Sequence, residues 1–361
     1  MIFNKLINFV INIFRKILFP ISLIYYLIVL IRNKLFDLSI IKSKNFDIPI
    51  ITIGNITVGG TGKTPHVEYL VEYFLNQNKN VGIISRGYKR KTKGFRIVDV
   101  KSSSSESGDE PLQIKLKYPR SIVCVCEKRY QGIQKMLKYF PELQIIIMDD
   151  GFQHRYVKPS LSILLIDFNR PVFKDCILPT GNLREPINAI KRSDCIIITK
   201  CLENIKQENL INFINKLKVD NASIFYSYIE YSNPINIIHD TNFDNNKINK
   251  NTNVIALTGI ANPSTFIYHL KKHFNIIKHL EYNDHHNYTI NDLKNIYKEL
   301  KIVNKETYVI TTEKDIVKLR ELIDKNHELT NYLYYIKIRV RILPLFHNVS
   351  FEEYLKNRLL F

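Results

Sequence analysis

The feature that most constrains this chain is one stretch: Ile50-Ile51-Thr52-Ile53-Gly54-Asn55-Ile56-Thr57-Val58-Gly59-Gly60-Thr61-Gly62-Lys63-Thr64-Pro65. An apolar run leads into a glycine-rich loop, then Gly-Lys-Thr, then a helix start. Glycines let backbone N–H groups curl around phosphate oxygens, and a helix N-terminus adds the positive end of its dipole. Lys63 would reach the β and γ phosphates, and the Thr64 hydroxyl would ligate Mg²⁺. Thr57, Gly59, Gly60, Thr61, Gly62, Lys63 and Thr64 are therefore the candidate nucleotide-binding residues. Pro65 suits a first helical turn, where its missing N–H costs nothing. The generic pattern wants glycine where Thr57 stands. Such a loop specifies a nucleoside triphosphate without choosing between kinase, ATPase and GTPase.

A phosphate loop demands a parallel sheet, and the rest of the chain supplies one. Ile48–Ile53, Val81–Ser85, Ser121–Cys126, Gln144–Met148, Leu161–Ile166 and Cys195–Thr199 read as short strands buried on both faces, because they are almost continuously apolar. Helical patterns such as Pro65–Leu75 and Gly132–Tyr139 lie between them, the α/β alternation. Ser102–Ser105 reads as a polar loop. Near Ile238–Asn253 the chain turns rich in Asn and Asp, which reads as a linker or exposed hairpin. A second α/β unit follows, with strands Val254–Thr258 and Tyr308–Thr311. A last strand, Leu333–Ile338, runs into a basic tail. The expected architecture is thus α/β: a P-loop NTPase-type α/β/α lobe, a second smaller α/β lobe and an N-terminal membrane-associated helix. The expected boundaries are 1–36 for the anchoring segment, 37–230 for the P-loop lobe, 231–253 for a linker and 254–361 for the second lobe.

At the N-terminus, Ile17 to Ile31 carries no charge and is bracketed by Lys16 and Arg32. As a helix those residues rise about 22 Å, short of the ~30 Å hydrocarbon core, and Pro20 argues against a continuous helix through that point. No small-residue cleavage site follows. The reading is an uncleaved anchor lying in the interface or dipping into one leaflet, held by Lys5, Arg15, Lys16, Arg32 and Lys34 on the cytoplasmic side; a buried core helix is the competing one. With 52 Lys and Arg against 34 Asp and Glu, the net charge of +18 favours a polyanionic partner: nucleic acid, an anionic membrane or a phosphorylated substrate. The basic residues are scattered rather than interleaved with aromatics and match no nucleic-acid motif, so no nucleic acid is expected. Nothing calls for an obligate protein partner. Five cysteines without a CxxC pair read as reduced thiols.

Several polar clusters carry candidate chemistry. Ile145 to Met148 ends in Asp149-Asp150-Gly151-Phe152-Gln153-His154, and an acid at the end of a buried strand is where a metal-liganding carboxylate belongs in P-loop enzymes. Asp149 and Asp150 would point to opposite sides and divide two jobs, one holding magnesium and one orienting a neighbour. Ser107-Gly108-Asp109-Glu110-Pro111 opens a helix, where Asp109 reads equally as an N-cap or as a catalytic acid. Thr180-Gly181-Asn182-Leu183-Arg184-Glu185-Pro186 is a loop built around an Arg and a Glu. Asp284-His285-His286-Asn287-Tyr288 lacks the further ligands zinc would need and fits a general base or its partner better. Ser85-Arg86-Gly87-Tyr88-Lys89-Arg90 is basic enough to meet phosphate, or is a solvated face.

In this order these blocks, with Thr312-Glu313-Lys314-Asp315, resemble the tetraacyldisaccharide 4′-kinase family of lipid A biosynthesis over nearly the whole chain. Thr57 then looks like the family's own variant. The resemblance implies ATP and Mg²⁺ as cosubstrates and an acylated glucosamine disaccharide 1-phosphate as acceptor. It implies the cytoplasmic face of the inner membrane, and two lobes with the active site in their cleft. By position, Lys63 and Thr64 would serve the nucleotide and its magnesium, and Asp149 would be the metal-side acid with Glu185 as helper. Asp109 would accept the sugar hydroxyl's proton, tuned by His285. Arg86, Arg184 and Asp150 would contact substrate. The rivals are a P-loop NTPase driving a conformational cycle, which needs no acceptor, and a basic nucleic-acid-binding module, which predicts salt-dependent binding.

Overall fold

The computed structural model describes residues 2–219, 223–238, 241–284, 286–303, 306–323, 328–346 and 349–359, with backbone only for 2–17. In chain order the elements begin with α1 (Ile2–Asp37), β1 (Ile50–Gly54), α2 (Lys63–Asn76), β2 (Val81–Ser85), β3 (Arg96–Val98), α3 (Ser104–Ser107), α4 (Asp109–Lys117), β4 (Ile122–Val125), α5 (Arg129–Tyr139), β5 (Ile145–Asp149) and β6 (Leu161–Asp167). They continue with β7 (Cys195–Thr199), α6 (Gln207–Leu217), β8 (Ser223–Asn236), β9 (Asn253–Thr258), α7 (Ser264–His273), β10 (Asn275–Glu281), α8 (Ile290–Ile302), β11 (Thr307–Thr312), α9 (Glu313–Leu322), β12 (Leu333–Pro344) and α10 (Phe351–Leu359). The chain folds into two units: residues 1–86, 120–229 and 340–361 form the first, and 87–119 with 230–339 the second.

In the first unit the strands run parallel in the order β8-β7-β6-β1-β5-β2-β4. The apolar runs explain why: β1, β2, β5, β6 and β7 are buried along their whole lengths, as strands covered on both faces must be. β1 lies between β5 and β6. The chain leaves β1 toward β2 on one side and later returns to β6 on the other. The carboxyl ends of these strands therefore flank a topological switch point, where open α/β sheets bind ligands. Beneath β6 and β7 a core of Leu164, Ile166, Ile196 and Ile198 packs on Leu210, Phe213 and Ile214 of α6.

In the second unit β10-β9-β11-β12 form a parallel array. One face packs Ile255, Leu257 and Val309 on Leu293 and Ile296 of α8 and Ile316 and Leu319 of α9. The other packs Val254, Ala256 and Ile310 on Phe266 and Leu270 of α7, with Phe243 joining from the Asn-rich stretch.

Three local expectations are corrected, and three strands were not foreseen. Ser102–Ser105 is no plain loop: Glu106 reaches back to the Ser103 N–H at 3.0 Å, and this capping box opens the short helix α3. Leu333–Ile338 is the first half of a longer strand, and the tail after it forms α10, which buries Phe351, Leu355 and Leu359. β8, β10 and β3 escape an apolar-run reading because their exposure is mixed along the strand. Pro20 lies inside α1, a 36-residue helix that passes straight through it. The lost hydrogen bond costs on the order of 3 kcal/mol; docking contacts at Ser22 and Tyr25, in the turns just beyond, offset it.

Candidate functional site

The glycine-rich loop joins β1 to α2, and its conformation follows from residue type. Gly59 and Gly62 sit at φ of 90° and 91°, where a side chain would be strained. Gly54 lets the chain after β5 approach, since a Cβ there would meet the Phe152 Cβ at 2.5 Å. Thr57 is absent from the positive-φ residues and pairs with Leu183 in an antiparallel bridge, an extended setting that suits a β-branched residue. That resolves the departure from the generic pattern.

The loop's carbonyls are held from behind. Arg170 Nη2 donates to the Val58 carbonyl at 2.8 Å, Lys200 Nζ to that of Gly60, and Thr199 Oγ1 to that of Thr61 at 2.8 Å. The His66 ring takes the Gly62 carbonyl at 2.7 Å through Nδ1, while its Nε2 lies 2.9 Å from Ser227 Oγ. Nδ1 must carry the proton, so Nε2 accepts from the serine. Complete burial of that ring pulls its pKa down to about 4, so it is neutral at physiological pH. Braced carbonyls leave the amide groups of the loop facing the other way, as a phosphate cradle requires.

At the end of β5 the two acids diverge. Asp149, buried, accepts from Ser85 Oγ at 2.9 Å. Asp150 adopts φ 48°, a conformation that non-glycine residues hold only when their surroundings impose it. Its carboxylate lies 3.5 Å from Lys63 Nζ and 2.9 Å from Arg184 Nη1. Burial opposes its charge, but Lys63 and Arg184 outweigh burial and hold its pKa below the ordinary value. The structure thus brings Lys63, Asp150 and Arg184 into one cluster. Arg86, at the end of β2, is exposed. Arg129 is buried at the start of α5 and donates to the Cys126 carbonyl at 2.6 Å; burial lowers its pKa to about 10, against the pull of Asp149 and Asp150. Burial, with Arg129, also lowers His154 to about 4.

The loop bearing Arg184 lies along the phosphate loop. The Val58 N–H donates to the Asn182 carbonyl and the Arg184 N–H to the Ile56 carbonyl, both at 2.7 Å. α1 docks on the same loop. Ser22 Oγ lies 2.5 Å from Thr180 Oγ1, Tyr25 Oη donates to the Arg184 carbonyl at 3.0 Å, and Asn33 Nδ2 donates to Glu185 Oε2 at 3.1 Å. Glu185, 1% exposed, also receives Arg192 Nη2 at 2.6 Å. Its carboxylate is thus turned toward α1 and Arg192. From Leu18 to Asp37 the helix is long and apolar enough to cross a bilayer and only 11% of it is buried. Ser22, Val29 and Phe36 face the unit, while Ile21, Ile24, Leu27, Ile28 and Ile31 are exposed.

In the second unit Asp109 is the first residue of α4, and Gly108 holds the N-cap position, so the helix-cap reading of this acid does not apply. Its Oδ2 lies 2.7 Å from Lys318 Nζ of α9. The His286 ring turns to Asp292 at 3.1 Å and stacks on Tyr282. His285 lies outside the described residues. All five cysteines are free, and only Cys176 is exposed. Sequence reasoning passed over His66, Arg129, Arg170, Arg192, Thr199, Lys200 and Lys318. Thr199 ends strand β7 and the others stand among ordinary helix or loop residues; nothing in their local spacing marks the contacts they make.

Comparison with known proteins places this arrangement. A family model described as LpxK, tetraacyldisaccharide-1-P 4′-kinase, matches residues 14–360. The tetraacyldisaccharide 4′-kinase of Bacteroides thetaiotaomicron is 38% identical over 292 residues, covering 78% of this chain and 77% of that one. Its counterpart from Flavobacterium johnsoniae is 38% identical over 351 residues, 96% of this chain and 99% of the relative. The crystal structure of LpxK from Aquifex aeolicus in complex with ATP matches with a TM-score of 0.74 at 30% identity, over 96% of this chain and 98% of that one.

Proposed function

Because the chain belongs to the LpxK family of tetraacyldisaccharide-1-P 4′-kinases, we infer that it transfers the γ-phosphate of ATP to the 4′-hydroxyl of a tetraacylated glucosamine disaccharide 1-phosphate. The observation that carries this reading is the Lys63–Asp150–Arg184 cluster beside a phosphate loop whose carbonyls are braced from behind. Two cations converge there on one carboxylate at the end of a central parallel strand. An incoming triphosphate competes with that carboxylate for Lys63, and the acceptor for Arg184.

Phosphoryl transfer is mostly positioning and charge neutralisation. In our reading the amides from Gly59 to Thr64 receive the phosphates and Lys63 meets the charge that develops on the β–γ bridge. Asp109 accepts the proton of the sugar hydroxyl as its oxygen attacks the γ-phosphorus and ADP leaves. His285 is assigned by sequence as the tuning partner of that base. Arg86 and Arg184 meet the acceptor, and Asp150 orients Lys63 and Arg184. Glu185 supports the set from the flank, next in the chain to Arg184.

The donors fit magnesium, being hard oxygens: the Thr64 hydroxyl and the Asp149 carboxylate. No group of three or more His, Cys, Asp or Glu residues able to hold a metal occurs among the described residues. Phosphate oxygens and water would therefore complete the shell, as is usual for this ion. When bound, magnesium offsets charge on the transferred group. We further propose that α1 holds the protein on the cytoplasmic face of the inner membrane, where a lipid acceptor presents its sugar. The exposed apolar side of the helix supports this reading.

The test is direct. Detergent-purified protein is incubated with γ-labelled ATP, Mg²⁺ and the acylated disaccharide 1-phosphate, beside Lys63→Ala and no-lipid controls. Label should enter the lipid and disappear in the variant. Label released only as free phosphate, with or without lipid, would sink the kinase reading.

A further inference from the structure

The Thr312-Glu313-Lys314-Asp315 block is a motif without a task in the chemistry above. Its surroundings show what the start of α9 holds. Thr312 Oγ1 caps the helix by receiving the Asp315 N–H at 3.1 Å, and Asp315 Oδ2 in turn receives the Gly259 N–H at 2.9 Å. From this capped end a stripe of charged side chains at helical spacing, residues 314, 318 and 321, reaches across to neighbouring segments of the same unit. Lys314 Nζ donates to Asp284 Oδ1 at 3.0 Å. Glu321 Oε1 accepts the Ser104 N–H at 3.0 Å. Between them, Lys318 Nζ donates to the His286 carbonyl at 2.9 Å and lies 2.7 Å from Asp109 Oδ2. Beside the stripe, Glu313 pairs with Lys117 of α4 at 3.0 Å.

We propose that Lys318 is a positioning residue for phosphoryl transfer, fixing the Asp109 carboxylate and the backbone at His286 in one geometry. The inference rests on the reading of Asp109 as the proton acceptor. Its side chain is 7% exposed and that of Asp109 12%, so the ammonium is held almost out of water. A buried ammonium is costly unless acceptors surround it. The acceptors it has are one from each of the two segments the reaction would need aligned. One ammonium thereby fastens both segments.

The experiment uses the full chain in detergent: wild type, Lys318→Gln, Lys318→Arg, Asp109→Asn and the Asp109→Asn/Lys318→Gln double variant. Steady-state kcat and the KM values for ATP and acylated disaccharide 1-phosphate are measured for each, with melting temperatures alongside. We expect Lys318→Gln to lower kcat about 30-fold, less than the ~10²–10⁴-fold that loss of the general base itself would cost, with both KM values within about twofold of wild type. Arginine should restore kcat to within about fivefold, and the double variant should be no slower than Asp109→Asn, because the two act as a unit. Additive losses, or a kcat for Lys318→Gln within about threefold of wild type while Asp109→Asn is inactive, would overturn the role of Lys318 and leave Asp109 as the base. Full activity in Asp109→Asn would instead remove the base reading itself.

Discussion

His66 ties the phosphate loop to β8 with a ring that must stay neutral, and this makes a measurable prediction. With Nδ1 donating to Gly62 and Nε2 accepting from Ser227, protonating Nε2 would set an N–H against the serine and place a charge in a fully buried site. Burial accordingly lowers its pKa from 6.5 to about 4. At about 1.4 kcal/mol per pKa unit, that shift is a linkage free energy of roughly 3 kcal/mol. The direction follows from proton binding. Between pH 6.5 and about 4 the opened chain takes up a proton at His66 that the folded chain refuses. The stabilisation is therefore complete above pH 6.5 and is lost as the pH falls toward 4.

His66→Gln removes this dependence. Gln keeps a donor for Gly62 but lacks the ring's reach to Ser227, so at pH 7.5 the variant should be less stable by about 1 kcal/mol, the worth of one buried hydrogen bond. As the pH falls, the wild type should lose that advantage by up to ~1.4 kcal/mol per unit and become the less stable of the two by pH 4.5. His154 and His269 titrate in the same window, since burial lowers both to about 4, but they are common to both proteins and cancel in the difference. Hydrogen exchange read on peptides spanning β1 and α2 measures local opening, which suits a protein of two units. Comparing the two proteins at each pH removes the intrinsic pH dependence of exchange. A stability difference that does not change between pH 7.5 and 4.5 would refute the assignment of a neutral, doubly bonded His66.

Two further predictions concern the first unit. Arg192→Met leaves the Glu185 carboxylate buried beside Asn33 alone and should cost about 3–5 kcal/mol in denaturant unfolding; adding Glu185→Gln should recover much of the loss, and no recovery would show that the charge is not the cause. Replacing Ile24, Ile28 and Ile31, which are 59%, 59% and 57% exposed, with Gln should abolish co-flotation with anionic vesicles by removing ~1.5–3 kcal/mol of burial per side chain. Kinase turnover on detergent-dispersed lipid should persist in that triple variant, and unchanged flotation would exclude the exposed face as the lipid contact.

The contacts of α1 give the helix a role besides the membrane attachment proposed for it. The same turns that expose isoleucine to one side present Ser22, Tyr25 and Asn33 to Thr180, Arg184 and Glu185 on the other. The loop they touch is hydrogen-bonded along the phosphate loop. Two hydrogen bonds, Tyr25 Oη to the Arg184 carbonyl and the Arg184 N–H to the Ile56 carbonyl, link α1 to the phosphate loop.

What could be read from the amino-acid order was whatever depends on near neighbours. Apolar runs of five or so residues can bury both faces only as strands of a covered parallel sheet, so β1, β2, β5, β6 and β7 were legible. The phosphate loop was legible because its demands, positive φ at glycine and a lysine at a helix start, are local in the chain. Asp149 and Asp150 were legible as a pair that parts ways at a strand end, and they do. Tertiary structure alone decided which partner each charge keeps. Glu185 turns to Arg192 and α1, Asp109 turns from the cap of its own helix to Lys318, and Thr199, Lys200, Arg170 and His66 converge behind the phosphate loop from separate elements. Such contacts join residues far apart in sequence, and their strength lies in burial and angle, neither of which exists until the chain has packed. Pro20 shows the same rule from the other side: a local preference against helix yields once docking around it is worth more than the one hydrogen bond it removes.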